Sequence, residues 1–379
     1  MFNKNSCIYL DESATSRYKP YAVIRRVEKE LKNSANAGRG GHKAALKALK
    51  TIEECRETVE TVTFSDANVI MTKSCTEALN LALFGGKFGG EIVTTVYEHN
   101  AVLRPLEKIK RNGVKITYLS DRSGIISPDL LKKRLNKNVS LVVMSEMSNV
   151  TGTVQPIDDI GRMLYGEGIP FLVDGAQSLG RTYSDYEGVT MIAGAGHKGL
   201  HGPQGTGFLC YRKNFCLEPL IYGGTGTSSD SLVQPAEPPE GFEAGTLNTA
   251  GIGGLTEGIR FTVRHKDEIE KHISSLSERL IAGLKEISGV KLYTDNFNGV
   301  ISFNVNAMPS GEVSDILDSR FDIATRAGIH CAPLIHRWLG TVVQGAVRAS
   351  IGWKNTASDI DRLVYAVKEI ASGNAIRNY

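Results

Sequence analysis

The sequence predicts an α/β protein with a large domain built on a mostly parallel sheet and a small C-terminal α+β domain. Three observations predict it. Short apolar runs, among them 68–72, 140–147, 169–174 and 189–193, alternate with stretches whose apolar residues have helical spacing. Run after run then leads to a polar residue, Thr76, His99, Asn149, Asp174 or Lys198, and open α/β sheets gather their ligands at the carboxyl ends of strands. One crevice shared by these five groups follows. Near residue 265 the organisation changes, and a long amphipathic stretch precedes further short strands. The boundaries drawn are an N-terminal segment at 1–17 packing near the site, a large domain at 18–264 and a small domain at 265–379.

Size and composition agree with this division. The chain has 379 residues, enough for two domains. Its hydrophobic content of 41% and charged content of 22% are those of an ordinary globular protein. A formal charge of +3, without a long single-sign block, gives no reason to invoke nucleic acid or an anionic membrane. No apolar stretch approaches the roughly 20 residues of a spanning helix, and no leader pattern opens the chain. A cytoplasmic protein is the expectation. Six cysteines, Cys7, Cys55, Cys75, Cys210, Cys216 and Cys331, are scattered without CxxC spacing, so neither a metal site nor a disulfide framework is indicated. Most are expected to be buried, reduced thiols.

The elements follow in order. Ile8 to Leu10 is strand-like, and the polar segment Asp11-Glu12-Ser13-Ala14-Thr15 follows it. Helices are expected over 21–31 and 43–62, separated by a glycine-rich stretch containing Asn36, Arg39 and His42. No strand precedes those glycines and G-x-G-x-x-G spacing is absent, which excludes a dinucleotide site there. Arg39 either contacts substrate or holds the loop. After the strand 68–72, Ser74, Cys75 and Thr76 open an apolar helical run, where free N–H groups make an anion site. The strand 91–97 delivers Glu98-His99-Asn100, and an imidazole there can stack on a flat ring or exchange protons. The strand 140–147 leads to Asn149, a helix covers about 158–166, and the next apolar run ends at Asp174 with Gln177 shortly after.

The last strand of the series, Val189 to Ala193, empties into a turn containing Gly194, Gly196, His197, Lys198, Gly199 and Gly202. Its glycines leave the backbone open to close approach by a ligand. Lys198 reads either as a solvated loop lysine or as an amine held in an apolar site, where desolvation frees it to attack a carbonyl. Residues 222–248 form a long irregular connection containing Gly245 and Thr246, of a length that is usually functional. Ile269, Ile273, Leu276, Leu280, Leu284 and Ile287 then mark a helix. Strands at 290–293 and 300–305, a helix near Glu312 and a last helix over 357–371 complete the small domain. Within it Cys331 stands in a loop of small residues with Arg326 and His330 nearby, a setting that favours a thiolate over an inert thiol. Arg348 is flanked by small and apolar residues, and its planar fork suits a carboxylate; the plainer reading is a salt bridge.

An aspartate beneath a pyridinium nitrogen and a lysine that condenses with an aldehyde are the two groups pyridoxal phosphate requires. The order V-D-G-A-Q-S then G-H-K resembles the class V aminotransferase family of pyridoxal-phosphate enzymes, of fold type I, and within it the cysteine desulfurase and selenocysteine lyase group. The likeness runs from Ile8-Tyr9-Leu10-Asp11 to Arg348-Ala349-Ser350. It implies Lys198, Cys331 and His99 as catalytic residues. It implies a cofactor site made of Cys75, Thr76, His99, Asn149, Asp174, Gln177, His197, Lys198, Gly245 and Thr246, and substrate contacts from Ala14, Asn149, Arg326 and Arg348. In the family the segment holding Gly245 and Thr246 reaches a neighbouring subunit's phosphate, so the resemblance implies a homodimer with shared active sites.

Four positions, Glu12, Ser13, Ala195 and Ile329, depart from the family pattern. The segment at Asp11-Glu12-Ser13 differs from D-N-A, Ala195 replaces a phosphate-binding hydroxyl, and Ile329 stands where a second histidine is common. The function implied is conversion of L-cysteine to L-alanine with transfer of sulfur to Cys331 as a persulfide, onward to a sulfur-acceptor protein and iron–sulfur cluster assembly. A selenocysteine lyase, another class V enzyme such as an aminotransferase, and an inactive sulfur carrier or scaffold are the alternatives.

Overall fold

The computed structural model describes residues 7–37 and 40–375; the expectation for Arg39 lies outside them. In chain order the strands are β1 (Ile8–Tyr9), β2 (Ala67–Thr72), β3 (Glu91–Thr95), β4 (Lys115–Leu119), β5 (Val139–Ser145), β6 (Phe171–Asp174), β7 (Met191–Ala195), β8 (Gly207–Arg212), β9 (Val290–Leu292), β10 (Val300–Val305), β11 (Ile323–Ala324), β12 (Arg326–Gly328) and β13 (Ala346–Ser350). The helices are α1 (Tyr21–Lys32), α2 (Lys43–Glu60), α3 (Cys75–Gly85), α4 (Asn100–Arg111), α5 (Pro128–Lys132), α6 (Ile157–Gly166), α7 (Thr249–Arg264), α8 (Lys266–Lys285), α9 (Ser310–Phe321), α10 (Pro333–Leu339) and α11 (Ala357–Ala371). Among the described residues no helix is long and apolar enough to cross a membrane.

The chain forms two compact units. The larger comprises Lys19–Glu146 and Gln155–Lys266; the smaller comprises the described residues up to Tyr18, the segment Met147–Val154 and the described residues from Asp267 onward. The larger unit holds a seven-stranded sheet in the order β2-β8-β7-β6-β5-β3-β4. Pairings among β3 to β7 are parallel, and β8 runs antiparallel to both β2 and β7. Strands such as β6 and β7 are buried along their whole length, as their unbroken apolar sequence requires of a sheet covered on both faces. The fold is α/β and mostly parallel, as expected; β8 is the antiparallel member that strand periodicity did not reveal.

In the smaller unit an antiparallel sheet runs β12-β13-β10-β9, and β1 pairs in parallel with β11. Helix α8 buries Ile269, Ile273, Leu276, Leu280, Ile281 and Leu284 on one face, the helical stripe read from the sequence. A capping box at Thr356 and Asp359 starts α11. Its Ile360, Leu363 and Val367 join Leu280, Ile301, Phe303 and Val347 in one core.

Two sequence expectations are corrected. The glycines around Lys198 make room for the protein itself: a Cβ on Gly194 would lie 2.2 Å from the Phe208 ring, and one on Gly196 2.2 Å from Thr206 Oγ1. Those on Gly199 and Gly202 would press on the Leu179 and Gly196 carbonyls. Of the cysteines only Cys55, Cys75 and Cys210 are buried; Cys7 and Cys331 are half-buried and Cys216 is exposed.

Candidate active site

In the larger unit Cys75 and Lys198 lie near Asp174, the last residue of β6. Parallel register sets Asp174 beside Ser145 of β5 and Ala193 of β7. Asp174 is buried, with Oδ1 accepting from the Ala176 N–H at 2.9 Å and from the Cys75 thiol at 3.5 Å. Burial pushes that thiol well up, Asp174 adds to the shift and the Lys198 charge opposes it, so Cys75 acts here as an S–H donor. Lys198 itself is half-buried, just past β7. His197, between Lys198 and its strand, is pushed down to about 4 by burial first and by the charges of Lys198 and Lys19. It is therefore a neutral ring at neutral pH. Gln177 is buried in the turn after β6.

Helix α3 begins beside Asp174. The Ser74 hydroxyl caps it by accepting from the Glu77 N–H at 3.2 Å, and the first-turn N–H groups of Cys75 and Thr76 have no intrahelical partner to reach. Thr76 is exposed on that turn. His99 Nδ1 accepts from the Ala101 N–H at 3.0 Å at the start of α4, so the neutral ring carries its proton on Nε2. Gly245 and Thr246 are exposed. Just before them Glu243 is gripped by Arg56 through two contacts of 2.8 and 2.7 Å, and it accepts from the Met71 N–H of β2 at 2.6 Å.

The smaller unit holds the remaining candidates. Antiparallel register places Arg326 of β12 opposite Arg348 of β13. Arg348 is 1% exposed; its Nη2 meets Asp11 Oδ1 at 2.7 Å, its Nη1 donates to the Asn149 carbonyl at 3.1 Å, and its Nε has no hydrogen-bond partner. Arg326 Nη2 lies 3.7 Å from Cys331 Sγ. His330 and Cys331 both have left-handed backbone, at φ 48° and 56°, a costly conformation for non-glycine residues that recurs at functional sites. The Asn149 side chain holds this turn by donating to the His330 carbonyl at 2.8 Å. His330 Nε2 pairs with the Ala346 carbonyl at 3.1 Å, and burial, helped by Arg348, His336 and Arg326, pushes the ring down to about 2. Ala14 is half-buried, and its N–H donates to the Asp11 carbonyl at 3.0 Å.

Of the five strand-end groups, Thr76, His99, Asp174 and Lys198 belong to the larger unit and Asn149 to the smaller. The sequence reading missed Glu98, Ser145 and the partnership of Asp11 with Arg348. Glu98 is fully buried, an improbable place for a lone carboxylate; its position directly before His99, at a strand exit, was the available signal. Among the described residues no group of three or more His, Cys, Asp or Glu is arranged to hold a metal ion.

The class V aminotransferase profile matches residues 8–363. A probable cysteine desulfurase of Methanothermobacter thermautotrophicus is 36% identical, covering 96% of this chain and 94% of its own length. Among solved structures, the apo cysteine desulfurase of Thermococcus onnurineus superposes with a TM-score of 0.88 at 33% identity, over 97% of this chain and 95% of that one. A cysteine desulfurase of Escherichia coli gives 0.87 at 26% identity, over 99% and 96%. With the profile spanning nearly the whole chain, and with relatives named cysteine desulfurases along its length, this chain belongs to the class V aminotransferase family.

Proposed function

We propose that this protein is a pyridoxal-phosphate-dependent cysteine desulfurase that converts L-cysteine to L-alanine and takes the sulfur onto Cys331 as a persulfide. The observation that carries the reading is the Cys331 turn: a half-buried thiol on strained backbone, 3.7 Å from the Arg326 guanidinium. The sulfur stands beside a cation and is open to approach, as a group that is to act as a nucleophile must be. An aminotransferase would have no use for it.

The donor set of the larger unit fits the cofactor. A buried carboxylate at the sheet edge suits a ring nitrogen, Lys198 suits the aldehyde, and the first turn of α3 with Cys75 N–H and Thr76 suits the phosphate. His197 and Gln177 complete the set, and His99 would stack on the ring. When bound, pyridoxal phosphate supplies an electron sink for charge developing on the substrate's carbons. Lys198 takes the proton from the substrate's α-carbon and gives it back to that carbon before alanine leaves. Arg348 Nε, with Asn149 beside it, orients the α-carboxylate, and Ala14 lines the substrate. The Cys331 thiolate attacks the substrate sulfur; an S–S bond forms, the Cβ–S bond breaks, and its electron pair takes up a proton on carbon. L-cysteine and the Cys331 thiol thus become L-alanine and the Cys331 persulfide.

The family resemblance supports a homodimer in which the segment holding the exposed Gly245 and Thr246 completes the neighbouring copy's phosphate site. The persulfide would pass to an acceptor protein of the cytoplasm, as in iron–sulfur cluster assembly. The deciding experiment is alanine formation from L-cysteine, with a thiol reductant, by wild type and Cys331→Ala. Alanine from the wild type and at least about a hundredfold less from the variant is the expected result. Equal rates would remove Cys331 from the mechanism. No alanine from either, with cofactor bound, would defeat the reading and turn attention to selenocysteine.

A further inference from the structure

Glu98 and Ser145 have no part in the reaction above, yet both are buried and both connect to Asp174. Glu98 Oε1 accepts from the Thr95 hydroxyl at 2.6 Å, and Oε2 accepts from the Ser145 N–H at 2.8 Å and its hydroxyl at 2.7 Å. The same hydroxyl lies 3.5 Å from Asp174 Oδ2. It has one proton to give. While Glu98 is ionised, the shorter contact takes that proton, and Asp174 is left with the Ala176 N–H and the Cys75 thiol. When Glu98 is protonated, its O–H can donate to Ser145 Oγ, and the serine's own proton is free to turn to Asp174.

We propose that Glu98, acting through the Ser145 hydroxyl, is a positioning residue that switches the hydrogen bonding and local charge of Asp174. The inference rests on the reading of Asp174 as the partner of the cofactor's ring nitrogen, and deepens it. The register of β5 on β6 builds the link, since Ser145 is the partner of Asp174 across the two strands. The charged and titratable groups around the pair are Asp174 on β6, the Cys75 thiol on α3 and Lys198 beyond β7; Thr95 and Ser145 contribute only neutral donors. Burial, with Asp174 adding to it and three hydrogen bonds opposing, pushes Glu98 up to about 7. The exchange therefore falls near neutral pH.

The test uses the full-length protein and deoxypyridoxine phosphate, which keeps the ring nitrogen and phosphate of the cofactor and lacks its aldehyde. Dissociation constant and ligand absorption are followed from about pH 6 to about pH 8 in wild type, Glu98→Gln, Ser145→Ala, Glu146→Gln and Asp174→Asn. Glu146 is an equally buried carboxylate held by other groups, Ser178, Thr182, Ser184 and Tyr186, so its variant controls for loss of a buried charge. Titration of the ligand's phosphate is common to all five. The expected result is a change of roughly three- to tenfold in wild type and Glu146→Gln beyond that common background, and its disappearance in Glu98→Gln and Ser145→Ala. Profiles of these two that overlay the wild type overturn the proposal, as does an equal effect of Glu146→Gln. Should Glu98→Gln fail to fold, Ser145→Ala alone decides. Asp174→Asn behaving as wild type would instead defeat the reading of Asp174 on which the proposal stands.

Discussion

Arg348 shows how one side chain can be both buried and available. Asp11 and the Asn149 carbonyl occupy its two terminal nitrogens, while Nε has no partner. Burial and the neighbouring Arg326 pull its pKa down, Asp11 holds it up, and a guanidinium stays charged throughout. A lysine would reach Asp11 or a substrate carboxylate, and could not present the same fork to both. Arg348→Lys is therefore expected to raise KM for L-cysteine about tenfold or more, roughly 1.4 kcal/mol per tenfold, with the bound cofactor's spectrum unchanged. An unaltered KM would show that the carboxylate is gripped elsewhere. Asp11 illustrates what residue-level reading loses: it stood only as the first residue of a segment whose next two positions, Glu12 and Ser13, depart from the family pattern, whereas in the fold it is the arginine's counter-ion.

At the scale of elements, two joints decide whether the site's strands stand where they do. Phe208 of β8 packs directly over Gly194 of β7, so Gly194→Ala forces a methyl group against an aromatic ring. Overpacking of this kind costs about 1–3 kcal/mol, and urea denaturation should register it as a lower midpoint with an unchanged slope. A variant as stable as the wild type would mean that the ring moves freely. The second joint is the ion pair of Arg56 with Glu243, whose side chains are 12% and 5% exposed. It ties α2, β2 and the segment leading to Gly245 together, since Arg56 also donates to the Val69 carbonyl. Glu243→Gln leaves a buried guanidinium short of its counter-charge, and a loss of about 3–5 kcal/mol is expected. Cofactor affinity falling with it would support a role for Gly245 and Thr246 in phosphate binding; stability falling alone would leave the segment with a structural task.

For the whole molecule the clearest consequence is the response to acid. His330 and His336 are both buried and pushed down, to about 2 and about 4, by burial first. Their unfolded values lie near 6.5. Groups with depressed values contribute stability above the unfolded value and lose it as pH falls, because the unfolded chain then binds protons the folded one refuses. Between about pH 6.5 and about pH 4.5 each removes roughly 2 kcal/mol. Glu98, pushed up to about 7, acts in the opposite sense, losing stability as pH rises from its unfolded value near 4.5 toward 7. The measurement is accordingly a difference: His336→Gln should lose about 2 kcal/mol less than the wild type over that interval. Parallel curves would show that His336 is not held neutral in the fold.

Some of this was determined by the sequence alone. Apolar runs too short for helices announced the sheet, the spacing of Ile269 to Leu284 announced α8, and the order of Asp174 before Lys198 pointed to the family and to the cofactor chemistry proposed for it, because each signal is local or depends only on order along the chain. Only the tertiary structure decided that β8 runs antiparallel between β2 and β7, that the glycines near Lys198 admit Phe208 and Thr206, and that Asp11 belongs to Arg348. It also decided that Glu98 reaches Asp174 through Ser145, residues 47 and 29 positions apart along the two steps of that path. Register between strands brings such groups together, and register is set by how whole faces pack, a quantity no window of sequence contains.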